Sequence, residues 1–124
     1  MRRAFYLASI SLMLLLPVSA DAQSPAPAGP IYVVTHVDFT PKNAPAGEKA
    51  LLQYAADSRK EPGALRFEVL QEAAQANHFI LIETWRDRAT YDTHLGTAAT
   101  IQFRDVLQPL IGAPFDVRLA RLDQ

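Results

Sequence analysis

Histidine, tryptophan and tyrosine are scarce in this chain, with three, one and four copies. Several of them fall in one stretch, Asn77 to Leu95, NHFILIETWRDRATYDTHL. Alternation there puts Phe79, Leu81, Glu83 and Trp85 on one side of a strand and His78, Ile80, Ile82 and Thr84 on the other. Asp87 then suits the N-cap of a helix carrying Tyr91, His94 and Leu95. One strand-to-helix unit thus gathers an acid, an indole, a phenol and an imidazole. Such a set suits proton transfer, because histidine alone has an unperturbed pKa near neutrality. A carboxylate carried into an apolar interior, as Glu83 is expected to be, must find a partner or shift its pKa. Arg104, Arg66 or a histidine would serve as that partner.

The remaining chemical residues lie on other elements. His36 sits in an apolar run, where an unpaired buried imidazole would be costly. His78 begins a strand beside a loop and reads as a surface residue. Trp85 suits a pocket wall or a core position equally well. Tyr54 and Tyr91 either line a cavity between helices and sheet or sit at its edge with their hydroxyls in water. No HxH, HxxxH or HExxH spacing occurs, so a metal site would have to combine His36, His94 and a carboxylate from separate elements.

The elements that must position these groups follow from periodicity. Residues 31–39 predict a first strand, with Ile31, Val33, Thr35, Val37 and Phe39 on one face and Tyr32, Val34, His36 and Asp38 on the other. A loop rich in Pro and Gly leads into a helix over about 46–60, with Leu51, Tyr54, Ala55 and Ser58 available as its inward stripe. Glu61-Pro62-Gly63 ends that helix. A second strand over 64–71 places Leu65, Phe67 and Val69 opposite Arg66, Glu68 and Leu70. The short turn at 72–76 makes it the hairpin partner of the third strand. Gly96 interrupts the following helix, Thr97 recaps a second segment bearing Phe103, Val106, Leu107 and Leu110, and Gly112 and Pro114 stop it. The last strand is expected over 115–122.

The order is βαβ followed by βαβ, which predicts an α+β, ferredoxin-like βαββαβ fold with a four-stranded antiparallel sheet. Helices cover one face of such a sheet, yet the first and third strands are apolar on both faces. A second copy of the chain is the economical cover, giving a two-fold homodimer.

The 124 residues, 49% of them hydrophobic, suit one globular domain. Arg2 and Arg3, the apolar run 4–18 and the small residues Ala20 and Ala22 predict a signal peptide over 1–22. The run is too short to span a bilayer, so no stable membrane anchoring is expected after cleavage, and the protein is expected in the periplasm or secreted. Residues 23–30 form a Pro/Ala-rich lead-in, and 31–124 the folded domain. Cleavage leaves ten basic and twelve acidic residues, a formal charge of −2, which disfavours nucleic acid as a partner. With no cysteine, disulfides and thiol chemistry are excluded.

These residues resemble the antibiotic biosynthesis monooxygenase domain, in particular its quinol monooxygenase-like branch among the dimeric α+β barrel proteins. The resemblance is carried by Val34-Thr35-His36-Val37, by Glu61-Pro62-Gly63 leading into Leu65-Arg66-Phe67-Glu68-Val69, and by His78-Phe79, Glu83 and Trp85. Tyr91, His94, Phe103-Arg104, Leu107, Pro109 and Asp116-Val117-Arg118-Leu119 complete it. One departure is Ala98-Ala99-Thr100, where many relatives have a histidine. The resemblance implies insertion of oxygen from O2 into quinols or related electron-rich phenols without flavin, haem or metal, so no cofactor is expected. It implies a small aromatic substrate in an aromatic-lined cavity, with His36 and His94 as base and hydrogen-bonding pair. Trp85, Glu83, Tyr91, Tyr54 and Arg104 would bind that substrate. The other reading is a non-catalytic dimeric module that binds a small apolar ligand.

Overall fold

The computed structural model describes residues 28–123; the expected signal peptide and most of the lead-in lie outside them. Strand β1 (Ile31–Asp38) is followed by a 3-10 turn (Pro41–Asn43) and helix α1 (Ala44–Ser58). Next come β2 (Ala64–Gln71), β3 (His78–Trp85), α2 (Arg88–Leu95), α3 (Ala98–Leu107) and β4 (Asp116–Ala120). The sheet has the order β2-β3-β1-β4. All its pairings are antiparallel, with Val33 opposite Glu83 and His36 opposite Ile80. The expected α+β, ferredoxin-like fold is present.

The interior lies between the helices and one face of the sheet. Ile31, Val33 and Val37 from β1, with Phe39 just beyond it, meet Phe79, Leu81 and Trp85 from β3, and Leu51, Tyr54 and Ala55 of α1 close over them. Period-two alternation on the strands and the i, i+3, i+4 spacing on α1 produce this arrangement. Gly47 lets α1 press onto the Phe39 ring, since a Cβ there would collide with the ring tip. Gly63 turns the chain between α1 and β2 with φ +85°, a left-handed conformation that favours glycine.

Two edges depart from simple alternation. A bulge between Ala64 and Arg66 turns Leu65 outward to 60% exposure, although alternation groups it with buried Phe67. The last strand covers only Asp116–Ala120, shorter than 115–122, because it pairs with β1 alone and stays exposed along its length.

Candidate active site

Two helix caps set the site. Asp87 accepts from the Thr90 backbone N–H at 2.8 Å, and the Thr90 side chain accepts in return from Asp87 N, so a capping box starts α2 close after β3. The α2 helix carries Tyr91 and His94 inward on successive turns. Gly96 ends it and Thr97 caps α3, its hydroxyl accepting from Thr100 N at 3.2 Å. Thr100 thereby reaches the same interior.

His94 is 1% exposed and has partners on both ring nitrogens. Its Nδ1 lies 3.0 and 3.1 Å from the two oxygens of Glu61, and its Nε2 lies 2.7 Å from the Tyr54 hydroxyl. The Tyr54 hydroxyl is also 3.1 Å from Thr100 Oγ1. The indole of Trp85 lies against the imidazole, with ring centres 4.3 Å apart. Burial pulls the His94 pKa below the usual histidine value, and the Glu61 carboxylate opposes that only in part. The contacts to Tyr54 and Glu61 occupy both ring nitrogens and fix the orientation of the imidazole. Burial also pushes up the hydroxyl pKa values of Tyr54 and Tyr91.

Glu83 is brought in from β3, as alternation requires. Its hydrogen-bond partner is a residue not considered for that role from the sequence, while a histidine, one of the partners expected, stands within ion-pair distance. Trp85 Nε1, two residues along the same face, donates to Glu83 Oε2 at 2.8 Å, while Arg66 pairs with Glu68 on the outside. Burial raises the Glu83 carboxyl to about 7, and the charge on Glu61 adds to the rise. Its Oε2 stands 3.8 Å from His94 Nε2.

A cleft of about 60 Å³ opens here, lined by Glu83, His94, Tyr54 and Tyr91 and, toward its mouth, by Phe103 and Arg104. Tyr54, Tyr91, Glu83, His94 and Arg104 thus converge as expected. Trp85 does not line the cleft; fully buried, it backs His94 and Glu83 from beneath. His36 does not join His94, which corrects the expected pair of histidines in one cavity. Residues 33, 35 and 37 of β1 point to the helices, so His36 points to the uncovered face, beside Ile80 and Asp116. Glu61 and Thr100 are the site residues that the sequence reading left out. Glu61 appeared there as the end of a helix and within the Glu61-Pro62-Gly63 stretch of the resemblance, without a role in the site. Among the described residues no group of three or more His, Asp or Glu is arranged to hold a metal ion, and no helix is long and apolar enough to cross a membrane.

The family model for antibiotic biosynthesis monooxygenase matches residues 30–106, which span β1 to most of α3. The chain belongs to the antibiotic biosynthesis monooxygenase family. Over 67 residues it is 30% identical to YcnE of Bacillus subtilis, whose name proposes a monooxygenase, covering 54% of this chain and 70% of that protein. Over 65 residues it is 28% identical to the uncharacterised protein sll1783 of Synechocystis, covering 52% of this chain and 44% of the relative, so the match spans less than half of that protein. The solved structure of PA3566 from Pseudomonas aeruginosa superposes with a TM-score of 0.71 at 27% identity, covering 77% of this chain and 97% of that one. Family membership accounts for the fold.

Proposed function

We propose that the protein is an O2-dependent monooxygenase of quinols or related electron-rich phenols, working without flavin, haem or metal, with His94 as its base. The observation that carries this reading is a buried imidazole anchored by Glu61 and facing a cleft with aromatic lips. A base of this kind must be unprotonated at working pH and held in one orientation. Removal of a hydroxyl proton leaves a phenolate, which gives one electron to O2. The phenoxyl radical and superoxide combine at a ring carbon, and the peroxide collapses. A hydroquinone and O2 thus yield a hydroxyquinone and water, with one oxygen atom in each product.

The cleft limits how a substrate enters. At about 60 Å³ it is far below the roughly 300 Å³ or more of an engulfing ligand pocket. A ring enters by its hydroxyl-bearing edge, with Glu83 and Tyr91 beside the buried oxygen and the ring body against Phe103, Phe115 and Val117 at the mouth. Arg104, exposed at the same mouth, favours the phenolate over the neutral phenol. The protein acts as a homodimer through the face that the helices leave open, and the signal expected at residues 1–22 puts the reaction outside the cytoplasm.

Oxygen uptake with a panel of hydroquinones and no added cofactor tests the reaction. His94→Gln should lower kcat by roughly 10²-fold or more, the usual share of a positioned base. If an aromatic compound binds saturably and O2 is not consumed, the protein is a binding module and the enzymatic reading fails.

A further inference from the structure

The hydrogen positions around His94 follow from which atoms can only accept. A carboxylate has no proton to give, so His94 Nδ1–H donates to Glu61. The lone pair is then on Nε2, and the Tyr54 O–H, 2.7 Å away, donates to it. That uses the one hydrogen of the phenol, so Thr100 Oγ1 at 3.1 Å donates to the Tyr54 oxygen. Thr97 holds Thr100 beside the phenol: its hydroxyl donates to the His94 carbonyl at 3.0 Å, accepts from Thr100 N and lies 3.0 Å from Thr100 Oγ1. The protons in the row Tyr54, His94, Glu61 point the same way.

The direction has a chemical consequence. With its lone pair occupied and only 1% of its surface exposed, His94 cannot meet a substrate hydroxyl unless Tyr54 moves away. Tyr54 lines the cleft, and its hydroxyl is the group bonded to His94 Nε2. At the other end the Glu61 side chain is 19% exposed, more than any other member of the relay that bears an ionisable group. A tight turn holds it there, with Glu61 N donating to Ser58 O at 3.1 Å and Ala64 N to Glu61 O at 3.2 Å.

We propose that Tyr54, His94 and Glu61 form a proton relay between substrate and solvent, in which Tyr54 touches the substrate and Glu61 exchanges the proton with water. The substrate O–H proton passes to the Tyr54 oxygen as the Tyr54 proton passes to His94 Nε2. The Nδ1 proton passes to Glu61 and from there to solvent. Each relay group ends with as many protons as it began, with His94 left in the Nε2–H tautomer; when the peroxide collapses to water a proton returns along the same row, which restores the Nδ1–H tautomer and leaves no net proton in the solvent. Burial keeps the Tyr54 hydroxyl protonated between turnovers, so it conducts rather than acts as a standing base. This rests on the reading of His94 as the base. It adds Tyr54 as a catalytic residue and Glu61 as the positioning residue that sets the imidazole's tautomer.

Nitrogen-15 NMR of the His94 ring in the full chain tests the direction without turnover. The Nδ1–H tautomer is expected, and an Nε2–H tautomer overturns the proposal. The groups facing His94 are Tyr54 from α1, Glu61 from the turn after it, Glu83 from β3, Tyr91 on its own helix and Arg104 on α3. Of these only Glu61 supplies an anion in hydrogen-bond contact, so Glu61→Gln should move the imidazole titration to lower pH. An unmoved titration overturns the proposal. If the wild type consumes O2, Glu61→Gln should shift the acid limb of the kcat profile the same way, with KM unchanged, and Tyr54→Phe should lower kcat at least tenfold. Full activity in Tyr54→Phe overturns the relay and leaves His94 as a direct base. An inactive wild type removes the monooxygenase reading, while the NMR outcomes still decide the relay.

Discussion

Glu83 is the residue whose burial has the largest readable effect on stability. Its carboxyl is raised from an ordinary 4.5 to about 7, chiefly by burial. In the folded state it holds its proton through a pH range in which the unfolded chain has already released it. Folding is therefore favoured by this group below about pH 4.5 and progressively loses that support as pH rises toward 7. His94 runs the other way, since its lowered pKa costs stability as pH falls below the ordinary histidine range. Comparing wild type with Glu83→Gln leaves the His94 effect common to both and isolates the carboxyl. The variant should keep the Trp85 hydrogen bond through its amide oxygen. At pH 8 it should be more stable than wild type by up to roughly 3 kcal/mol, with the difference shrinking to near zero at pH 4.5. Urea unfolding midpoints across that range check this; a constant difference would contradict it. At this scale the sequence was informative where period two or helical spacing decides direction, as for Glu83, Tyr54, Tyr91 and His94. It could not pair Glu61 with His94, because 33 residues and a turn with positive φ separate them. The misplaced His36 was legible in principle. Ile31, Val33, Val37 and Phe39 mark the more apolar face of β1, and His36 is on the other.

At the scale of elements, local signals and packing agree closely. Asp87, Gly96 and Thr97 punctuate α2 and α3 as their side-chain chemistry predicts, because caps depend on neighbours only three residues away. The edges were less legible. The bulge that turns Leu65 outward and the shortened β4 depend on what the strand pairs with, which periodicity does not encode. Helix α1 gives a prediction in which two effects oppose each other. Gly47→Ala should gain roughly 0.5–1 kcal/mol from helix propensity. The new methyl would meet the Phe39 ring, which is 1% exposed and packed edge-on against Phe79 with ring centres 5.6 Å apart, so the ring has nowhere to swing. Overpacking of this kind costs roughly 1–3 kcal/mol, and that effect should win. A fall in Tm of about 4–8 °C for each kcal/mol of net loss is expected in a domain of this size. A rise in Tm would mean that Phe39 has room that the packing does not show.

For the whole molecule, the sheet face away from the helices decides how the protein exists in solution. Tyr32, Val34, Ile80 and Ile82 stand at its centre, each partly buried by its neighbours on the sheet, with Leu70 beside them 42% exposed. Ion pairs within single strands flank this stripe, Arg66 with Glu68 at 2.6 Å on β2 and Asp116 with Arg118 at 2.8 Å on β4. An apolar centre rimmed by charges that are already paired suits a self-complementary contact about a two-fold axis, where each charge keeps its own partner as the apolar stripe is covered. On the dimer reading His36 lies inside that contact rather than in the cleft, which gives it a role unrelated to His94. Ile82→Asp would place an unpaired carboxylate in the centre of the stripe, where burying it is costly. The wild type should show a dimeric mass by light scattering at micromolar concentration, and the variant a monomeric mass with its far-ultraviolet circular dichroism unchanged. Because the His94 cleft lies on the helix side, built wholly from one chain, the His94 ring resonances should stay where they are in the variant. A monomeric wild type would remove the dimer, and shifted His94 resonances in a folded variant would show that the two faces of the sheet are coupled.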